Sequence, residues 1–196
     1  MRNRQPFYDH IRKELFLGAL TTKQVEGIEL ILNESQNRQI YRISILAYIL
    51  ATIFHETDKT MQPIEEYGMG RGKKYGEKIK YSGRPYTKPN WIFYGRGHTQ
   101  NTWYEVYENL TKLAQKQGKN WDFLNNPNLL LQNEPSIWAT FEAMQSGLYT
   151  GRKLSDFITD TKCNYLGART IINGVDKAKE ISDYAVTFEK ALKLSV

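Results

Sequence analysis

Ile43-Ser44-Ile45-Leu46-Ala47-Tyr48-Ile49-Leu50-Ala51-Thr52-Ile53-Phe54, followed at once by His55-Glu56-Thr57-Asp58-Lys59-Thr60-Met61-Gln62-Pro63-Ile64-Glu65-Glu66, decides how this chain of 196 residues is built. Aliphatic residues recur almost all round the first segment, the pattern of a helix buried in a core. That helix runs directly into ionisable groups, so its C-terminal end carries Glu56 to the core's edge. Loss of water there favours the protonated form of a carboxyl, which is how a general acid is made. Pro63 disfavours regular helix, and Glu65 and Glu66 follow in an expected loop. A carboxyl on a rigid helix end and a second on a nearby turn suit glycosidic hydrolysis, which needs one protonated and one ionised group. A solvated surface glutamate would read the same way in sequence.

A zinc protease of the HExxH type needs a second His four residues after His55, and that position is Lys59. With three His and the lone Cys163, neither a metal site nor a cofactor is expected, and an internal disulfide framework is excluded.

A composition of 40% hydrophobic and 24% charged residues fits a soluble globular protein, read as one catalytic domain over residues 1–196. The start, MRNRQPFYDHIRKELF, has no apolar run of signal-peptide length, and Ile43–Phe54 is too short to span a bilayer. No stable membrane insertion is expected. The net charge of +6 attracts a polyanion: nucleic acid, an anionic membrane or an acidic wall polymer. With 13 Tyr and 4 Trp, the chain is equipped for stacking on sugars or bases, or for a well-packed core.

Pro6 opens a first amphipathic helix through Phe7, Ile11 and Leu15, with Gly18 as its breaker. Thr21 or Thr22 caps a second helix carrying Val25, Ile28, Leu30, Ile31 and Leu32. Asn33 to Arg38 reads as a polar connector, and the core helix as running from about Gln39 to Glu56. Residues 67–94 are rich in Gly, Lys and Tyr and have no helical period; Gly68 to Gly76 lacks Walker-loop spacing, so the stretch reads as a substrate flap or a plain surface loop. In Tyr94-Gly95-Arg96-Gly97-His98-Thr99-Gln100-Asn101-Thr102-Trp103, two Gly bracket a tight passage. Gln100 and Thr102 share a side if the segment is extended. Further helices are expected from Tyr104 to before Gly118, from Glu134 to Leu148 with Ile137, Trp138, Phe141 and Met144 inward, and at the end through Ile181, Tyr184, Ala185, Phe188 and Leu192. The mixed charges of that last helix suit packing better than membrane disruption.

At FHETDKTMQPIEE and YGRGHTQNTW, with LFLGALTTKQVEGIELIL before and ARTIINGVDKAKEISDYA after, the chain resembles the family 19 glycoside hydrolases, in particular the phage and prophage endolysins of the chitinase-like branch. The resemblance implies a mainly α fold: a single lysozyme-like or chitinase-like domain with a small irregular or β-hairpin excursion beside the active-site cleft. It implies Glu56 as general acid, Glu66 rather than Glu65 as general base, and Thr102 as holder of the attacking water. Gln100, Tyr94, His55, Trp103 and Asn173 correspond to substrate contacts. Family members invert at the anomeric carbon, which calls for carboxyls roughly 6.5 to 9.5 Å apart. Two positions depart from the family pattern: Asn101 stands where many relatives have Leu, and Val106 where they often have Asn.

The implied partner is the peptidoglycan glycan strand, met by a monomer that accumulates in the host bacterial cytoplasm and is released through a holin or membrane damage. Nucleic acid is not an expected partner. The rival readings are a chitinase acting on N-acetylglucosamine polymers and, from a different class, a non-catalytic wall-binding module.

Overall fold

The computed structural model describes residues 3–73, 75 and 90–195. Contacts group the chain into two compact units, Met1–Met61 with Met144–Val196, and Gln62–Ala143. Among the described residues the architecture is mainly helical, as expected, with one two-stranded sheet.

In the first unit, α1 (Gln5–Glu14) has Pro6 in its first turn and buries Phe7 and Ile11. Gly18 follows in the left-handed conformation, φ 89°. Helix α2 begins at a capping box in which Thr21 Oγ1 accepts from Gln24 N and Gln24 Oε1 accepts from Thr21 N. It spans Thr22–Asn37 and absorbs the expected connector. No breaker interrupts Asn33 to Asn37, Glu34 pairs with Arg38 one turn on at 2.5 Å, and buried Ser35 donates to Ile40 O. The core helix α3 therefore starts later than expected, spanning Ile43–Glu56, after Gln39 turns the chain at φ 56°. Every residue from Ala47 to Phe54 is buried.

Helix α8 (Ala178–Lys193) packs chiefly against α3. Phe54 is the aromatic hub of that packing, edge-on to Phe16 at 5.1 Å, Tyr184 at 4.8 Å and Phe188 at 5.9 Å. The chain end is secured where Phe7 N donates to Ser195 Oγ. Two single-turn helices, α6 (Leu154–Phe157) and α7 (Tyr165–Ala168), precede a 3₁₀ turn at Arg169–Ile171.

In the second unit, β1 (Ile64–Glu65) pairs antiparallel with β2 (Arg96–Gly97), so Glu65 lies in a short strand rather than a loop. The flap expected over 67–94 falls largely outside the described residues. Helix α4 (Tyr104–Lys116) and α5 (Asn133–Ser146) bring Trp121, Phe123 and Trp138 together, with Phe123 and Trp138 stacked at 6.0 Å. Trp138 Nε1 donates to Gln117 Oε1, satisfying the indole. Ile137, Trp138, Phe141 and Met144 are buried as the sequence predicts.

Candidate active-site residues

Glu56 ends α3 because the next residues turn hard. Thr57 Oγ1 donates to Ile53 O and accepts from Met61 N, while Lys59 N bonds back to Phe54 O. Asp58, Lys59 and Met61 all take positive φ in this turn, and Gln24 Nε2 ties it to α2 through Lys59 O.

The Glu56 side chain is 13% exposed, and its Oε1 accepts from Arg169 Nη1 at 2.5 Å. Arg169, itself 6% exposed, also donates from Nε to Asp176 O at 2.9 Å. One guanidinium thus fixes the carboxyl and closes the turn that carries Asn173. Asn173 is exposed; its Oδ1 accepts from Gly174 N and its own N–H donates to Arg169 O. His55, although adjacent to Glu56, lines a separate charged cavity against α8 whose lining does not include Glu56.

Within the second unit, Glu66 is held by two donors: Tyr75 hydroxyl to Oε1 and Gly95 N to Oε2, each at 3.1 Å. Its backbone N–H also donates to Gly95 O at 2.8 Å. Burial, with the Glu66 carboxylate beside it, pushes the Tyr75 hydroxyl up to about 12, so it stays a neutral donor. Glu65 is exposed, and its carboxylate accepts from Tyr94 hydroxyl at 2.9 Å.

The passage at 97–102 is a turn rather than the extended segment in which Gln100 and Thr102 would share a side, with Gln100 at φ 51°. Gln100 and Thr102 nevertheless meet on one side of Gly95. A β-carbon at Gly95 would lie 2.7 Å from Gln100 Oε1 and 3.4 Å from Thr102 Oγ1. Glycine is required there by that close approach. Gln100 Nε2 donates to Ile64 O and Gly97 O, and Thr102 Oγ1 donates to Gln100 O at 2.9 Å.

Tyr94 is buried, its ring covered by the Arg96 guanidinium at 3.5 Å, and Trp103 stands edge-on to Tyr75 at 5.1 Å. The departure at Asn101 has a structural use: the side chain is buried and donates to Arg96 O, bracing the turn. Val106 is buried on α4. Among the described residues, no group of three or more His, Cys, Asp or Glu is placed to hold a metal.

No protein-family profile matches the chain, and no curated protein does. Solved structures do. Chitinase C from Streptomyces griseus HUT6037 is 18% identical, with 98% of this chain and 76% of that one covered at a TM-score of 0.58. A bacterial family 19 chitinase, described as differing from plant enzymes, is 18% identical over 97% of this chain and 94% of its own, at 0.59. A chitinase C mutant is 16% identical over 97% and 92%, at 0.57. The fold is that of the family 19 chitinases. At such identities the likeness fixes the backbone of the family 19 fold, and the side-chain roles must be argued from this chain.

Two residues escaped the sequence reading. Arg169 lies in the quoted ARTIING block, but its partner is 113 residues away. Arg96 sits between the noticed glycines, and its guanidinium reaches Ile92 O, Tyr107 hydroxyl and Asn128 Oδ1. A buried arginine in a Gly-Arg-Gly run is the signal that would have marked it.

Gly97 supports this turn directly. It has φ 90°, and a β-carbon there would lie 2.7 Å from Ser136 Oγ and 3.1 Å from Leu130 O. Gly97→Ala is expected to cost about 2–4 kcal/mol from backbone strain and overpacking together. A denaturation midpoint close to wild type would contradict that reading.

Proposed function

We propose that the chain is an inverting glycoside hydrolase of the peptidoglycan glycan strand, acting as an endolysin held in the host cytoplasm until release. The observation that carries this is a pair of differently held glutamates in the family 19 fold: Glu56 at a rigid helix end against Arg169, and Glu66 gripped by Tyr75 and Gly95. The endolysin role rests on the four sequence blocks.

Glu56 acts as general acid. Arg169 occupies Oε1, which leaves Oε2 to carry the proton to the glycosidic oxygen. Glu66 acts as general base on a water. Thr102 has spent its single donor on Gln100 O, so its lone pairs accept a hydrogen from that same water. A water donating to both Glu66 and Thr102 turns a lone pair toward the anomeric carbon, as inversion requires. Gln100 spends its amide hydrogens on Ile64 and Gly97, leaving its carbonyl oxygen to accept from a sugar. Tyr94, Trp103 and Asn173 complete the proposed sugar contacts, with no cofactor, while His55 lines the separate cavity.

The roles of the adjacent glutamates separate cleanly in kinetics. Glu66→Ala is expected to lower kcat by about 10²-fold or more, and Glu65→Ala by only a few-fold. Equal losses would remove Glu66 as the base. Proton NMR of the first-formed product is expected to show the inverted anomer; retention would contradict the water-holding arrangement. A chitinase is the second reading, favoured by the chitinases among the solved structures, and faster turnover of chitin oligomers than of peptidoglycan would establish it.

A further inference from the structure

Beside Glu56 in sequence, and wholly within the first unit, lies a cavity of about 150 Å³ lined by Phe54, His55, Asp58, Lys59, Lys177 and Glu180, with Tyr184. It is smaller than the roughly 300–1,000 Å³ of a site for a drug-sized ligand, so it fits one small branch of a substrate rather than a run of sugars.

Its lining is charged in both signs. Glu180 accepts from Tyr184 hydroxyl at 2.6 Å and lies 3.5 Å from Lys177. The Tyr184 hydroxyl, helped by Lys177 and His55, holds the Glu180 carboxyl below the usual carboxylate range, so it is ionised at neutral pH. Lys59 extends over the Phe54 ring at 5.9 Å.

Asp58 (φ 49°), Lys59 (66°) and Lys177 (59°) all adopt the left-handed conformation. Glycine takes that conformation without steric cost, whereas residues bearing a β-carbon are strained in it. Glycine therefore fits the backbone at Lys59 and Lys177.

A polymer of N-acetylglucosamine is neutral and gains nothing from such a lining. Peptidoglycan carries short peptides that bear both carboxylates and ammonium groups. We infer that this cavity binds the peptide branch of the glycan substrate, Lys59 and Lys177 taking its carboxylates and Asp58 its ammonium group; the inference rests on the peptidoglycan reading above.

The test uses Lys59→Gly combined with Lys177→Gly, since glycine suits both backbones and should leave the protein folded by circular dichroism. Two substrates are compared: intact peptidoglycan, and the same strands freed of peptides by an amidase. The double variant is expected to lose about tenfold in kcat/KM on intact peptidoglycan, mainly through KM, and to match wild type on stripped strands. Lys116→Gln with Lys190→Gln removes equal charge elsewhere and should change neither. Equal losses on both substrates, no loss on either, or the same loss from the distant pair would each overturn the peptide assignment alone. Wild type cleaving neither substrate would overturn the peptidoglycan reading, and this inference with it.

Discussion

Glu56→Gln is expected to abolish glycan cleavage, by at least 10²–10⁴-fold, in a protein that remains folded. The amide is nearly the same size and its oxygen can still accept from Arg169 Nη1, so the end of α3 and the turn at 57–61 keep their geometry. What is lost is the proton that a carboxylic acid delivers and an amide does not. The charge-assisted bond becomes weaker, which lowers the melting temperature without unfolding the chain. Activity against peptidoglycan, measured beside circular dichroism, separates the two effects. A folded and active variant would remove Glu56 from the mechanism.

The second large effect is expected at Arg169. Its substitution by Met keeps much of the side chain's bulk but leaves Glu56, 13% exposed, without the Arg169 guanidinium, and frees Asp176 O from its donor. Breaking a buried pair by deleting one member costs about 3–5 kcal/mol, because the remaining charge is stranded away from water. For a protein of this size that is a fall in Tm of about 6–20 °C. Arg169→Lys should rescue only part of it, since one ammonium on a flexible stem does not reproduce a fork that bonds Glu56 and Asp176 O together. The double variant Glu56→Gln with Arg169→Met should be less destabilised than the sum of the two singles, as expected of contacting residues. Additive losses would mean that the ion pair does not hold the helix end.

Local signals in the sequence carried most of the fold. The apolar density of Ile43–Phe54, the N-cap threonine at 21 or 22 and the glycines at 18 and 118 act within a few residues of themselves, so helix identity and several ends were legible. The misreadings also have local causes. Asn33 to Arg38 looks polar enough to be a connector, yet contains no breaker, and an ion pair and a buried serine prolong α2 through it. An extended segment and a polar turn were both open for Gln100, and the turn at 97–100 is set by Ser136, which accepts from His98 N across 38 residues. The partners of Glu56 and Glu66 were illegible for the same reason. Arg169 is 113 positions from Glu56, and Gly95 is 29 from Glu66. A residue type and its local spacing reveal what a side chain can do, whereas these partners are chosen by the packing of distant segments.

Under the proposed function, this chain hydrolyses the peptidoglycan glycan strand. Purified peptidoglycan digested with wild type should yield fragments with new N-acetylglucosamine or N-acetylmuramic acid reducing ends, identified by mass spectrometry and missing from the Glu56→Gln digest. Glycan strands left intact by folded wild type would contradict it.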